Sequence, residues 1–202
     1  MPEITLDYSV IALWGVIGYL LGSIPSGIII ARLMNLGNLR DVGSGNIGAT
    51  NVLRTGNKKA AALTLLFDAG KGAIAILLAR QLSSDQAVHI AGLMAFLGHC
   101  FPVWLRFKGG KGVATYFGII WAAAWPAGVA ASAIWLAIAA ISRYSSLAAL
   151  FAAGWTPIIL VFVTDGNYFL LAAALGLLIY ARHGANIARL RAGTETKIGA
   201  KS

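Results

Sequence analysis

Charge is what this chain has least of. Asp, Glu, Lys and Arg make up 11% of its 202 residues, where a soluble domain carries about 25%. Acidic residues are the scarcer kind, seven against sixteen Lys plus Arg, for a formal net charge of +9. Cysteine occurs once, at Cys100, which excludes an internal disulfide and leaves the redox compartment open. The opening MPEITLDY lacks the basic region and small-residue cleavage site of a signal peptide, so the first apolar stretch is expected to be kept. Linker-like and low-complexity segments are missing, which predicts one domain over 1–202. The likeness of AGKGAIA (69–75) to GGKGVAT (109–115) does not extend to their surroundings, so it marks no internal repeat.

Further absences bear on chemistry. None of the three histidines has an aspartate five residues on: Met94, Trp104 and Ala188 stand there instead. The His-x-x-x-x-Asp pair of soluble-type glycerolipid acyltransferases is therefore missing. No Cys/His/Asp cluster has metal-ligand spacing, and no Gly-x-Ser-x-Gly elbow offers a serine nucleophile. The stretch RFKGGKGVAT (106–115) is not a Walker A loop. Leu105 stands at the first glycine position and Gly112 follows Lys111.

What the chain does have is apolar length. It is 58% hydrophobic, with mean hydropathy +0.77, the signature of an integral membrane protein. The pattern predicts an all-α, polytopic, seven-helix bundle, with spans near 8–34, 59–80, 86–105, 112–124, 126–142, 145–164 and 167–183. The fourth is the shortest, and AWPAG (124–128) supplies the break before the fifth. A five-span chain with re-entrant segments is the alternative. In the first span, Gly18 and Gly22 have the spacing of a close helix crossing, and Pro25 is placed to kink its inner half.

Charge orients the bundle. One set of connections holds Arg40, Arg54, Lys58, Lys59, Arg106, Lys108, Lys111, Arg143, Arg189, Arg191, Lys197 and Lys201. The other holds Glu3, Asp7, Asp85 and Asp165, with Arg80 as its one cation. The positive-inside rule puts the first set in the cytoplasm, the N-terminus outside and the C-terminus inside. Anionic lipid headgroups account for part of that basic face.

Small polar residues gather on the same face. In RDVGSGNIGATNVLR (40–54), glycines alternate with Ser44, Asn46, Thr50 and Asn51, and Arg54 follows. Gly43 and Gly45 let the backbone turn tightly. Successive N–H groups in such a turn attract anions, and Arg54 adds a guanidinium for phosphate. Lys108 and Lys111 interleave with Gly109, Gly110 and Gly112 just before a span, where free helix N–H groups also attract phosphate. Ser145 and Ser146 follow Arg143 at another inner helix end, where capping would occupy one of them. His183 and Asn186, three apart, are expected on one helix face. Asp68 and Lys71, spaced i, i+3 within a span, are expected to pair.

Seven segments together resemble the bacterial acyl-phosphate:glycerol-3-phosphate acyltransferase family of the inner membrane. They are GSIPSG (22–27), GSGNIGATNVLR (43–54), FDAGKG (67–72), GHCFPVWLRFKGGKGVAT (98–115), RYSSLA (143–148), YARHGANIARL (180–190) and GTETKIG (193–199). Order and spacing fit over almost the whole chain. The departure is Gly184–Ala185, where the family pattern has a basic and an acidic residue. The resemblance implies a multi-pass inner-membrane enzyme with its active site on the cytoplasmic face. It implies transfer of a fatty acyl group from acyl phosphate to the 1-hydroxyl of glycerol 3-phosphate, giving lysophosphatidic acid and inorganic phosphate. It implies no metal, acyl-CoA or acyl-carrier protein; no cofactor and no nucleic-acid partner are expected, and membrane lipids surround the chain.

Two phosphates held close together require several cations and N–H donors. Ser44, Asn46, Thr50, Asn51 and Arg54 are assigned to one side of the site, and Lys108, Lys111, Ser146, His183 and Asn186 to the other. The donor phosphate is already a good leaving group, so one of its own oxygens is the expected acceptor of the hydroxyl proton. The rival is His183 as general base. The alternative function class is a transporter for phosphate-containing anions.

Overall fold

The structure is a computed structural model and describes residues 7–199; Glu3 and Lys201 lie outside them. Among the described residues it is all helix, with no strand. The elements are α1 (Tyr8–Gly22), α2 (Ser26–Leu33), α3 (Ala49–Leu53), α4 (Lys58–Leu82), α5 (Asp85–Cys100), α6 (Val113–Ala123), α7 (Trp125–Ser142), α8 (Ser145–Val163), α9 (Phe169–Arg182) and α10 (Gly184–Arg191).

Each of the seven expected stretches holds a helix. Five segments are long and apolar enough to cross a membrane: Tyr8–Leu33, Lys58–Leu82, Asp85–Leu105, Trp125–Ser142 and Ser145–Val163. Helices α9 and α10 meet the same criterion only when taken together, across a bend of 60°. The remaining apolar helix, α6, has 11 residues. Large apolar side chains such as Ile141 and Phe162, both 83% exposed, face outward. The interior is lined largely by alanine and glycine, so the apolar exterior belongs against lipid and small residues set the helix spacing.

Side-chain caps begin several helices. The Asp7 carboxylate accepts from Ser9 N and Val10 N at the start of α1. Asn57 accepts from Ala60 N at α4, and Ser84 from Ala87 N at α5. The break between α1 and α2 falls at Ser23–Pro25, where the ring of Pro25 prevents continuation. The carbonyl of Ile24 at that break accepts a 2.8 Å hydrogen bond from Lys71 Nζ. Helix α6 ends at Ala123 and α7 starts at Trp125, so Ala124 is the break expected within AWPAG.

α1 packs along α5, α4 against both α5 and α6, α7 against α8, and α8 against α9. Gly22 makes the first crossing close: a Cβ there would lie 1.9 Å from the Ala95 carbonyl oxygen. The Asp68–Lys71 pair is present at 2.9 Å, almost fully buried, with His99 Nδ1 3.5 Å from the same carboxylate oxygen. This cluster joins α4, α5 and the α1–α2 break.

Candidate functional site

The loop before α3 is organised by one amide. Asn51 is 1% exposed. Its Nδ2 donates to the carbonyls of Leu39 and Asn46, at 3.0 and 2.7 Å. Its Oδ1 accepts from Ser44 N, Ser44 Oγ and Arg54 Nη1. The side chain is thus spent on the loop, which corrects the expectation that it binds phosphate directly. Gly43 has φ +51°, and a Cβ there would meet Arg54 Cδ at 2.6 Å. Arg54 lies folded over this turn, held by Asn51. Asn46 Oδ1 accepts from Ile47 N, and Thr50 Oγ1 lies 3.2 Å from Ser145 Oγ on α8.

The lysine- and glycine-rich turn before α6 works differently from the expected nest. Gly109 N–H donates to the Cys100 carbonyl and Gly110 N–H to that of His99, each at 3.1 Å. Their amides are therefore taken by the end of α5, and these two glycines do not offer N–H groups to an anion. They are small because His99 presses on them: a Cβ on Gly110 would sit 2.1 Å from His99 Nε2. Arg182 holds the other side of the turn, with Nε and Nη2 at 3.2 and 3.1 Å from the Gly110 carbonyl. Arg106 and Lys108 are exposed, and the Lys108 carbonyl accepts from Arg40. Of the three cations in this stretch, Lys111 alone lines the cavity described next, with Gly112 beside it at the start of α6.

The third contribution comes from the C-terminal part. His183 sits at the bend between α9 and α10, so it does not share a helix with Asn186 as its spacing predicted. Its Nδ1 lies 2.8 Å from the Ile179 carbonyl. A carbonyl only accepts, so Nδ1 carries the proton and Nε2 keeps its lone pair. Asn186 accepts from Lys111 through Oδ1 and donates through Nδ2 to Glu195 Oε1 at 2.5 Å. Ser146 Oγ donates to the same oxygen at 2.7 Å, and Arg189 Nε to Oε2 at 2.7 Å. Ser146 therefore holds a carboxylate, and neither serine caps α8.

Glu195 is the residue that sequence reasoning missed. The signal was available: it is the one carboxylate in the basic tail after α10. Burial acts to raise its pKa, but the hydrogen bonds from Ser146, Asn186 and Arg189 outweigh that and lower it. Lys111 is affected in the opposite sense. Burial pushes its ammonium down to about 8; Glu195 acts against this, and Arg189, Arg54 and Arg182 add to it.

These parts meet at one cavity of about 920 Å³. Ser44, Asn46, Thr50, Asn51, Arg54, Lys111, Gly112, Ser146, His183, Asn186 and Glu195 line its polar end. Gly43, Gly45, Lys108, Gly109 and Gly110 stand outside the lining. Away from the polar end the cavity continues as an apolar furrow between α4, α6 and α7, past Leu65, Leu66, Phe117, Trp121, Trp135 and Leu136. Asp68 and His99 border it. A cationic head joined to an apolar furrow fits a molecule with an anionic group on a lipid tail.

Residues 12–193 match the family model described as glycerol-3-phosphate acyltransferase. The chain belongs to the glycerol-3-phosphate acyltransferase family. It is an acyltransferase of that family and a membrane protein. A glycerol-3-phosphate acyltransferase of Dinoroseobacter shibae is 59% identical over 201 residues, covering 100% of this chain and 99% of the relative. One from Roseobacter denitrificans is 59% identical over 202 residues, covering all of both. The fold is similar to crystal structures of PlsY (YgiH), an integral membrane glycerol 3-phosphate acyltransferase. With its glycerol 3-phosphate form the TM-score is 0.88 at 39% identity, covering 94% of this chain and 96% of the other. With the lysophosphatidic acid form the TM-score is 0.84 at 37% identity, covering 94% and 95%.

Proposed function

We propose that this enzyme transfers a fatty acyl group from acyl phosphate to the 1-hydroxyl of glycerol 3-phosphate. The products are lysophosphatidic acid and inorganic phosphate. The observation that carries the reading is the joined cavity: Arg54 and Lys111 at one end, and a furrow lined by apolar side chains running from it. Family membership and the two substrate- and product-named crystal forms of the similar protein support the acceptor and the lipid product.

The acceptor hydroxyl oxygen attacks the acyl carbonyl carbon, a C–O ester bond forms, and the C–O bond to phosphate breaks. The hydroxyl proton goes to an oxygen of the departing phosphate. That route asks no protein group to titrate, so Lys111, Arg54, Ser44, Asn46 and Thr50 act by binding and by neutralising two phosphates. Lys108, Gly43 and Gly45 contribute to the field and to the loop shape. His183 is assigned to the acceptor hydroxyl or a protonated phosphate oxygen, whose O–H donates to Nε2, and Asn186 and Ser146 to the site wall. The whole chain is one domain with seven crossing helices, α6 and the α9–α10 pair included. It lies in the bacterial inner membrane with the cavity's polar end at the cytoplasmic face, the N-terminus outside and the C-terminus inside.

The test is turnover by the purified protein in detergent, with glycerol 3-phosphate and either palmitoyl phosphate or palmitoyl-CoA. Lysophosphatidic acid and phosphate in equal amounts from the phosphate donor alone are expected. Turnover with the thioester alone would overturn the donor. Absence of turnover with both would remove acyl phosphate as the donor and point to a different acyl carrier.

A further inference from the structure

The last residue of α6 that lines the furrow is Trp121, a 44% exposed tryptophan whose indole is tied to α7. Trp121 lies nine residues along α6 from Gly112, about 13 Å from the polar end at the helical rise. Its Nε1 donates to Ser132 Oγ at 3.1 Å. Its ring lies against Gly128, where a Cβ would fall 2.6 Å from Trp121 Cγ. Gly128 and Ser132 are one helical turn apart on α7, so one provides the seat and the other the pin. Ser132 lies ten residues from Ser142 at the polar end of α7, about 15 Å by the same rise. Trp121 is two residues from the Ala123 end of α6, so the pinned indole stands at the end of the furrow away from the polar head.

Lipid-facing tryptophans usually place the indole N–H at the membrane–water interface, where water or headgroups satisfy it. Here a serine on the neighbouring helix satisfies it within the furrow instead. Such a pin restrains the ring where the lining of the furrow stops. Leu65, Leu66 and Phe117 on the way are apolar and lack any such restraint. We infer that Trp121, seated on Gly128 and pinned by Ser132, is the floor of the acyl furrow and sets the acyl-chain length that the enzyme prefers. This inference rests on the proposed acyl transfer and adds its specificity element. A chain that reaches the indole buries each further methylene no deeper; it must turn out between α4 and α7 toward lipid.

The experiment is a chain-length series of acyl phosphates, from decanoyl to octadecanoyl, with kcat/KM measured for the wild type, Trp121→Ala, Trp121→Phe and Ser132→Ala in detergent. In Trp121→Ala the preferred chain is expected to lengthen. Each methylene newly accommodated should raise relative kcat/KM about fourfold, the equivalent of ~0.8 kcal/mol per buried methylene. Ser132→Ala keeps the ring and removes the pin, so its profile should broaden toward longer chains without losing the short ones. Trp121→Phe keeps an apolar ring and serves where the alanine variant does not fold. Profiles that superimpose on the wild type after scaling, in a folded Ser132→Ala together with either tryptophan variant, would overturn the inference. A wild type that ignores every acyl phosphate would instead overturn the donor assignment. The same variants with an acyl-CoA series then read the floor independently.

Discussion

Burial acts on Lys111 before any substrate arrives. With its ammonium held down to about 8, it is charged below that pH and loses charge as pH rises through it. The value of kcat/KM for the phosphate substrates is therefore expected to fall on the alkaline side with a limb near pH 8. Glu195 is the group that opposes this depression. Glu195→Gln should move the limb to lower pH, and an unmoved limb would separate Glu195 from the charge of Lys111. Removing the cation is more severe. Lys111→Ala and Arg54→Ala should each cost about 2–5 kcal/mol for a charged donor lost from a desolvated anion. That is a roughly 30-fold to several-thousand-fold loss of turnover. Arg32→Ala, on an exposed position of α2, is the control and should be near neutral; equal losses at all three would mean a diffuse field and no local site. His183 is tested in the same pH series. With Nδ1 committed to Ile179, its Nε2 either binds or takes a proton. His183→Asn and His183→Gln should lower the rate and leave the shape of the acidic limb unchanged. An acidic limb that vanishes in both variants would transfer the proton to His183.

At the scale of the element, the Asp68–Lys71–His99 cluster is a joint. Lys71 holds the carbonyl left free at the α1–α2 break, Asp68 holds Lys71, and His99 lies between Asp68 and the glycine turn that leads to Lys111. Asp68→Asn leaves the Lys71 charge buried without its counter-ion, and should destabilise by about 3–5 kcal/mol. Asp68→Leu with Lys71→Met removes both charges and should be much milder. Thermal unfolding of the detergent-purified variants measures this; an Asp68→Asn melting temperature equal to wild type would refute the joint. The i, i+3 spacing made the pair legible in the sequence. His99 was not, because it comes from another helix. The same limit explains the rest of the site. Apolar runs marked the helices, and Pro25 and AWPAG marked their breaks, because those are local effects. The donors of Gly109 and Gly110 were misassigned because the carbonyls that take them stand at the end of α5. Asn51 was read as a ligand because nothing local shows that the Leu39 and Asn46 carbonyls consume its amide. The short α3 lay inside what read as a loop, since its five residues have no apolar period of their own. Glu195 was passed over because the tail read as topological charge, and its partners Ser146, Asn186 and Arg189 converge only after the 60° bend.

For the whole molecule, the question is which end faces the cytoplasm. The connections sort into two ends by their contacts. Ser145 meets Thr50, Ser146 meets Glu195, and Lys111 meets Asn186 at one end. At the other, His89 lies between the carbonyls of Asp85 and Asn167, and its ring stacks on Tyr168. The first end collects Arg54, Lys58, Lys59, Lys111, Arg143 and Arg189; the second collects Asp85 and Asp165. Arg80 is the exception in charge, and its contacts explain it. It donates to the carbonyls of Ala122 and Ala123 at the end of α6, at 2.7 and 3.0 Å, and to Tyr168 at 3.2 Å. A cation that satisfies the last carbonyls of a short helix serves that helix end, so it does not argue for a cytoplasmic location. All the connections are short, the regime in which Lys and Arg bias sets orientation. We therefore expect the cavity's polar end inside. In a Cys100→Ser background, Gln86→Cys should react with an impermeant thiol reagent added to intact cells. Lys59→Cys should react only after the membrane is opened. The reverse pattern would invert the topology and move the polar end of the cavity away from cytosolic glycerol 3-phosphate. Arg80→Gln should lower the melting temperature by loosening the end of α6 and leave both labelling results unchanged. Labelling that changes with Arg80→Gln would make Arg80 a determinant of orientation and remove the structural explanation for its place.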